Sequence, residues 1–198
     1  MKFAKAVLAT AIFIVLLLAI YCIHVTWFQV DVVLYSALAD GAIATAIATG
    51  MLIAGRGFTI FTAFEKGQLA VIWLLAAYAF AISIPTVIDR SLSFYILEKL
   101  EQRGGGILQS RFEDVFTKEY VKEHRLVDIR LTEQLQSGTI TIENGCVKLT
   151  DRGRALAQFS RFFRRNLLPK QRLVMGGYTD DLTDPFRHSA AAPDYICR

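Results

Sequence analysis

The sequence predicts an α-helical membrane bundle of three transmembrane helices, then a small α+β domain, then an extended C-terminal arm. Three observations lead there. Apolar runs of membrane-spanning length fill residues 6–28, 32–54 and 68–88. Charge is segregated: residues 1–88 hold only Lys2, Lys5, Arg56 and Lys66 against Asp31, Asp40 and Glu65, so 18 of 22 basic and 15 of 18 acidic residues lie beyond them. Within that charged half, two alternating runs flank Asn144-Gly145, a strong hairpin signal. The expected boundaries are 1–90 for the membrane helices, 91–168 for the domain and 169–198 for the arm.

An α-helix rises 1.5 Å per residue, so about 20 apolar residues cross a hydrocarbon core roughly 30 Å thick. The first run follows Lys2 and Lys5, is too long for a signal-peptide core and lacks a small-x-small cleavage site. It is a retained span, closed by Trp27 and Phe28 at headgroup level. The short connection from Gln29 to Asp31 makes the second run its antiparallel neighbour. That run is rich in Ala, Gly and Thr. Ala42, Ala46 and Gly50 lie four apart, with Ala37 and Gly41 a second pair, and small residues at helical spacing let helices approach closely in lipid. The expected packing face is therefore Ala42, Ala46 and Gly50, and the expected place of this helix is the bundle centre. Phe58, Ile60, Phe61 and Phe64 suit a connection lying in the interface. In the third run Pro85 removes one backbone hydrogen bond near the exit, and Asp89-Arg90 ends the apolar stretch.

Asp40 is the single-residue functional candidate of this half, because an ionisable side chain at that depth faces a partner or a water-filled cavity. The competing reading leaves it near the interface, solvated or bonded to a hydroxyl such as Ser36. Topology is open as well. Three crossings with Lys2, Lys5, Arg56 and Lys66 on the cytoplasmic side put the tail outside, whereas a re-entrant middle segment leaves it inside.

In the second half, residues 91–103 read as a helix with Leu92, Ile96 and Leu100 on one stripe, stopped by Gly104-Gly105-Gly106. That glycine triplet lacks the Lys-Ser/Thr of a phosphate loop and reads as a turn. A short helix over 111–117 is expected to bury Phe112, Val115 and Phe116. A third, over 122–136, repeats Val127, Leu131 and Leu135 and ends at Ser137-Gly138. Asn144-Gly145 then sets a two-residue turn that pairs Glu143 with Cys146 and Ile140 with Leu149. This register puts Ile140, Ile142, Val147 and Leu149 on a face that must pack on the helices. Thr150 or Asp151 caps a last helix over 152–168.

The order helix, helix, helix, hairpin, helix resembles the winged-helix family over residues 91–168. Arg130-Leu-Thr-Glu-Gln-Leu looks like the end of the family's third helix, Asn144-Gly145 like its wing, and Lys148-Leu-Thr-Asp-Arg-Gly-Arg like the strand and helix start that leave the wing. The lead-in Asp89-Arg90-Ser91-Leu92-Ser93-Phe94-Tyr95 is similar to the membrane-proximal start of small bacterial envelope proteins encoded among polysaccharide-assembly genes. The second resemblance implies a bacterial inner-membrane location and a role in envelope glycan or lipid assembly. A winged helix often implies duplex binding, but Lys122, His124, Arg125 and Arg130 are offset here by Glu123, Asp128 and Glu133, with Glu143 beside the wing tip, so little is gained from phosphate counterions.

Basic charge concentrates in the last helix: residues 152–172 carry seven Lys or Arg and no acid. Leu156, Phe159, Phe163 and Leu167 form one stripe, with Arg154, Arg161 and Arg165 opposite and Arg164 between. Two readings stand. Either the helix lies on an anionic membrane surface, or its stripe closes the domain core while its arginines are solvated. In the arm, Tyr178, Phe186 and Tyr195 are candidate partner contacts, and Asp180, Asp181 and Asp184 read as a solvated acidic run. Cys22 reads as a small buried hydrophobe; Cys146 and Cys197 pair only in an oxidising compartment. No residue spacing marks a catalytic, metal or cofactor site. The expectation is a non-enzymatic integral-membrane accessory or scaffold subunit that binds a larger membrane protein or a second copy of itself. A membrane-tethered DNA-binding regulator is the alternative, and a small transporter or membrane enzyme using Asp40 a third reading.

Overall fold

Three long apolar helices open the chain: α1 (Lys2–Trp27), α2 (Val33–Ala54) and α3 (Ala63–Ala81), the last prolonged by a π-helical turn, Ile82–Thr86, and by α4 (Val87–Arg90). All three are long and apolar enough to cross a membrane. The computed structural model describes residues 2–187, 189 and 197, and the chain divides into two compact units, Met1–Glu123 and His124–Arg198.

Within the first unit α2 packs along both α1 and α3, which meet each other far less. The core forms where Phe13 of α1 stacks on Trp73 of α3, ring centroids 5.4 Å apart, and the Trp73 indole N–H donates to Thr10 Oγ1 at 3.1 Å. Ala44, Ala48 and Leu52 of α2 join that cluster. The buried face of α2 is thus Ala37, Gly41, Ala44, Ala48 and Leu52, and the expected face, Ala42, Ala46 and Gly50, is exposed. At 100° per residue the two small-residue rows lie nearly opposite each other. The choice is made at Gly41, where a Cβ would come within 2.7 Å of the Ala77 Cβ: only glycine lets α2 and α3 close.

α3 begins at Ala63, five residues before its expected start, because Thr62 and Glu65 form a reciprocal capping box. Glu65 also holds Lys2 at 2.9 Å, and Lys5 Nζ donates to the Gly57 carbonyl. The start of α1 is therefore tied to the α2–α3 connection, and Lys2, Lys5, Arg56 and Lys66 gather at one end of the bundle. In that connection Phe61 is buried in the core, while Phe64 is exposed. α2 is one unbroken helix about 33 Å long, which leaves no point for a re-entrant turn. Cys22 faces outward rather than into the core. Near the exit, Pro85 lacks an N–H and the helix widens into the π turn, where Thr86 Oγ1 donates to the Ala81 carbonyl.

A single extended residue, Ser91, separates α4 from α5 (Leu92–Gln102) and caps it through the Phe94 N–H. α5 buries Tyr95 and Lys99, while Leu92 and Leu97 are exposed, so the expected Leu92-Ile96-Leu100 stripe is displaced by one row. Gly104 and Gly105 take positive φ and end the helix. After a short 3₁₀ turn, helical pieces follow at α6 (Phe112–Asp114), a π turn Val115–Tyr120 and α7 (Val121–Glu123), burying Val115 and Tyr120.

The second unit starts with α8 (Leu126–Gln136), entered through Arg125 at φ 44°, so the helix expected from 122 starts later. Strands β1 (Ile140–Glu143) and β2 (Cys146–Leu149) pair in the expected register, with Asn144 and Gly145 both at positive φ. Thr150 caps α9 (Asp151–Asn166) through the Gly153 N–H. Contrary to expectation, Ile142, Val147 and Leu149 remain exposed. Residues 172–179, expected to be part of an extended arm, form a second hairpin, β3 (Arg172–Val174) with β4 (Gly177–Thr179), turned by Met175 and Gly176 at positive φ. Cys146 is bonded to Cys197, with Cα atoms 6.0 Å apart.

Candidate functional site, an intramembrane His–Asp pair

Asp40 enters α2 about 10 Å from its start, on the same side of the helix as the buried alanines. It is 2% exposed. A carboxylate so placed needs a partner, and the fold supplies one that neighbouring hydroxyls do not: His24 Nδ1, in the last turns of α1, lies 2.7 Å from Asp40 Oδ1. With the carboxylate ionised, the imidazole Nδ1–H donates. The His24 ring is held edge-on by Phe28, centroids 5.7 Å apart. The other oxygen, Oδ2, is buried and has no hydrogen-bond partner among the described residues. Both side chains border a shallow hollow between α1 and α2, walled by Ile20, Ile23, Phe28, Ala39 and Ile43.

Chemically, the pair can hold one proton between two bases, and Oδ2 is a buried acceptor with no partner among the described residues. Sequence reasoning singled out Asp40 and missed His24, for a plain reason. Alone, a histidine near the end of an apolar run reads as an interfacial residue. The signal was the short connection, which folds α2 back so that the end of α1 lies beside the early turns of α2.

A second polar cluster lies outside the membrane helices. Lys99, 4% exposed on α5, places Nζ 2.7 Å from both Glu119 and Glu123, and Tyr95 Oη donates to Glu123 at 2.8 Å. The hydrogen bonds Lys99 donates to Glu119 and then to Glu123 push its ammonium up, and in return hold both carboxylates below their usual range. Burial, reinforced by Glu123, raises the Tyr95 phenol to about 12. Arg103 Nη2 also donates to Glu119 at 3.0 Å, so two cations meet two carboxylates, which marks the group as a structural clamp between α5 with Arg103 and the segment 115–123.

In the second unit the basic side chains of the hairpin and third helix are engaged locally: Arg125 with Asp128, Arg130 with Glu133, Lys148 with Glu143. The acidic run of the arm is ion-paired rather than simply solvated, Asp180 with Arg187 and Asp184 with Arg165. Of the residues proposed for membrane or partner contact, Arg154, Arg161, Arg165, Tyr178 and Phe186 are exposed and Arg164 is half-buried; Tyr195 lies outside the described residues. Among the described residues no group of three or more His, Cys, Asp or Glu side chains forms a metal centre. Comparison with protein-family models, with curated proteins and with solved structures finds no significant match to this chain.

Proposed function

We propose that this protein is an integral-membrane accessory subunit that docks through α2 against a larger membrane protein and presents its C-terminal unit on the far side of the bilayer. The observation that carries the reading is the pair of opposed small-residue rows on α2. One row is consumed inside the chain at Gly41, Ala44 and Ala48; the other, Ala42, Ala46 and Gly50, stands exposed on the helix already at the bundle centre. Small residues facing lipid gain nothing from lipid and leave room for the close approach of another transmembrane helix.

The side follows from charge. With the Lys2, Lys5, Arg56 and Lys66 end cytoplasmic, three crossings bring Asp89-Arg90 out on the opposite face, and the Cys146–Cys197 bond suits an oxidising compartment there. A bacterial inner membrane, a winged-helix-like fold of the soluble region and a setting in envelope glycan or lipid assembly complete the reading, supported by resemblance. Duplex binding draws no comparable support, since Arg125 at the start of α8, Arg130 within it and Lys148 of the first hairpin are each held by an acid.

The test is co-purification of the tagged full chain from its native membrane. A stoichiometric membrane protein should be recovered, and Ala46→Leu with Gly50→Leu should cut its recovery at least tenfold while Ala42→Gly does not. Unchanged recovery with the leucine pair would sink the docking face. For the side, an impermeant thiol reagent should label Leu108→Cys, an exposed position, in intact cells; labelling only after permeabilisation would reverse the topology.

A further inference from the structure

α9 leaves almost its whole length in the open. Of its sixteen residues only Gly153 is buried. Phe159 is 61% exposed and Leu167, just past its end, 60%, with Leu156, Phe162 and Phe163 also outward. The reading in which this stripe closes a core therefore fails among the described residues. Phe159 and Phe163 pack on each other, centroids 6.0 Å apart, beside a shallow groove shared with Leu156, Ser160 and Leu168.

We propose that α9 is an interfacial helix whose aromatic stripe seats in an anionic phospholipid surface. Charge chooses that occupant. Residues 152–172 carry seven basic side chains and no acid. Arg165 is taken by Asp184, which leaves Arg152, Arg154, Arg161, Arg164, Lys170 and Arg172 to meet a negative surface. The guanidiniums on the face away from the stripe stand no farther than one helix diameter from the lipid, about 10 Å, which is about one screening length at 0.1 M salt. Each basic residue near such a surface is worth about fivefold in partitioning. A second copy of α9 would double the positive charge with no acid in 152–172 to offset it, whereas an anionic surface neutralises it. The candidate spans on the same chain would raise the local lipid concentration that α9 meets. The proposal does not depend on the docking face of α2.

The probe is the full chain, one copy per nanodisc, in discs of phosphatidylcholine alone or with about one-third phosphatidylglycerol. Backbone amide exchange over 151–166 is the readout. In anionic discs at roughly 0.1 M salt, exchange should slow at least tenfold relative to zwitterionic discs, and most of that protection should vanish at roughly 0.5 M. Arg161→Gln with Arg164→Gln should remove most of the lipid-specific protection, as should Phe159→Ser with Phe163→Ser. Equal exchange in the two lipids would overturn the proposal even if a variant misfolds. So would protection that ignores salt and lipid charge, or that arises only when two copies share a disc, which would assign the stripe to self-association.

Discussion

The two units treat their apolar side chains in opposite ways. In Met1–Glu123 a set of large residues closes into a core inside the chain, Phe13 and Trp73 at 1% exposure, and the buried Asp40 is answered by His24, while the other apolar side chains of the helices face outward. In His124–Arg198 the comparable residues, Ile142, Val147, Leu149 and the α9 aromatics, stand outward. That unit is held instead by hairpin ladders, the Thr150 cap, ion pairs and a cross-link. A piece of chain this short buries too little apolar surface to be stable by its core alone, so its stability rests on covalent and polar ties and on whatever covers its exposed face. The first unit keeps a core between helices long and apolar enough to cross a membrane; the second leaves its apolar face uncovered among the described residues.

Four measurements sharpen or break that contrast. The largest effect should come from the cross-link. Removing the bridge between Cys146 and Cys197, a separation of 51 residues, by Cys146→Ser with Cys197→Ser should cost the second unit about 4 kcal/mol on the loop-entropy estimate, read by denaturation of that unit, with the first unit's melting unchanged. A unit held mainly by its core would lose far less. Next is Gly153→Ala. The added Cβ would sit 2.0 Å from the Thr139 carbonyl oxygen and 2.8 Å from Leu149 Cδ1, so the start of α9 must move, at about 3 kcal/mol by thermal unfolding. A neutral outcome would mean that α9 is not seated on β1.

In the membrane unit the paired glycines give a smaller, signed contrast. Gly41→Ala forces α2 from α3 and should cost about 1–3 kcal/mol in detergent unfolding. Gly50→Ala meets nothing within 4 Å and should stay within about 0.5 kcal/mol in the isolated chain. Equal effects would remove the distinction between the inner and outer rows.

The smallest effect is that of pH on the Lys99 cluster. The folded-state values of Glu119 and Glu123 lie below the ordinary 4.5, so their contribution is present above 4.5 and is lost as pH falls through the lowered values. Lys99 is raised above 10.5, so its contribution is full below 10.5 and fades as pH rises through the raised value. The near-ultraviolet signal of Tyr95 and Tyr120 should therefore hold between those limits and weaken outside them, with Tyr95 ionising near 12. A Tyr95 phenol titrating at the ordinary 10 would show that the clamp is open in solution.

Much of this was legible in the residues. Spans of sufficient length, the Asn144-Gly145 register and the Thr150 cap follow from local rules of rise, pleat and turn, which operate over a few residues at a time. The capping box at Thr62 and Glu65 and the Met175-Gly176 turn are equally local but carry weaker signatures, a lone Thr-x-x-Glu inside an apolar stretch and a methionine at positive φ. The candidate site was half legible. Asp40 stands out because a charge in an apolar run is costly; His24 does not, because its role exists only once α1 and α2 lie antiparallel.

By itself the sequence determined which helices are long and apolar enough to cross a membrane, which residues turn the chain, and that residues 152–172 are basic, since composition and short-range spacing depend on nothing distant. Only the tertiary structure decided which small-residue row of α2 faces inward, because that is set by where Ala77 of another helix comes to rest. It likewise decided that Asp40 has a histidine for a partner, that Cys146 reaches Cys197, and that the α9 stripe faces out. Each of these is a meeting of residues far apart in the chain, and hydrophobic periodicity specifies that a face seeks cover without specifying what will cover it.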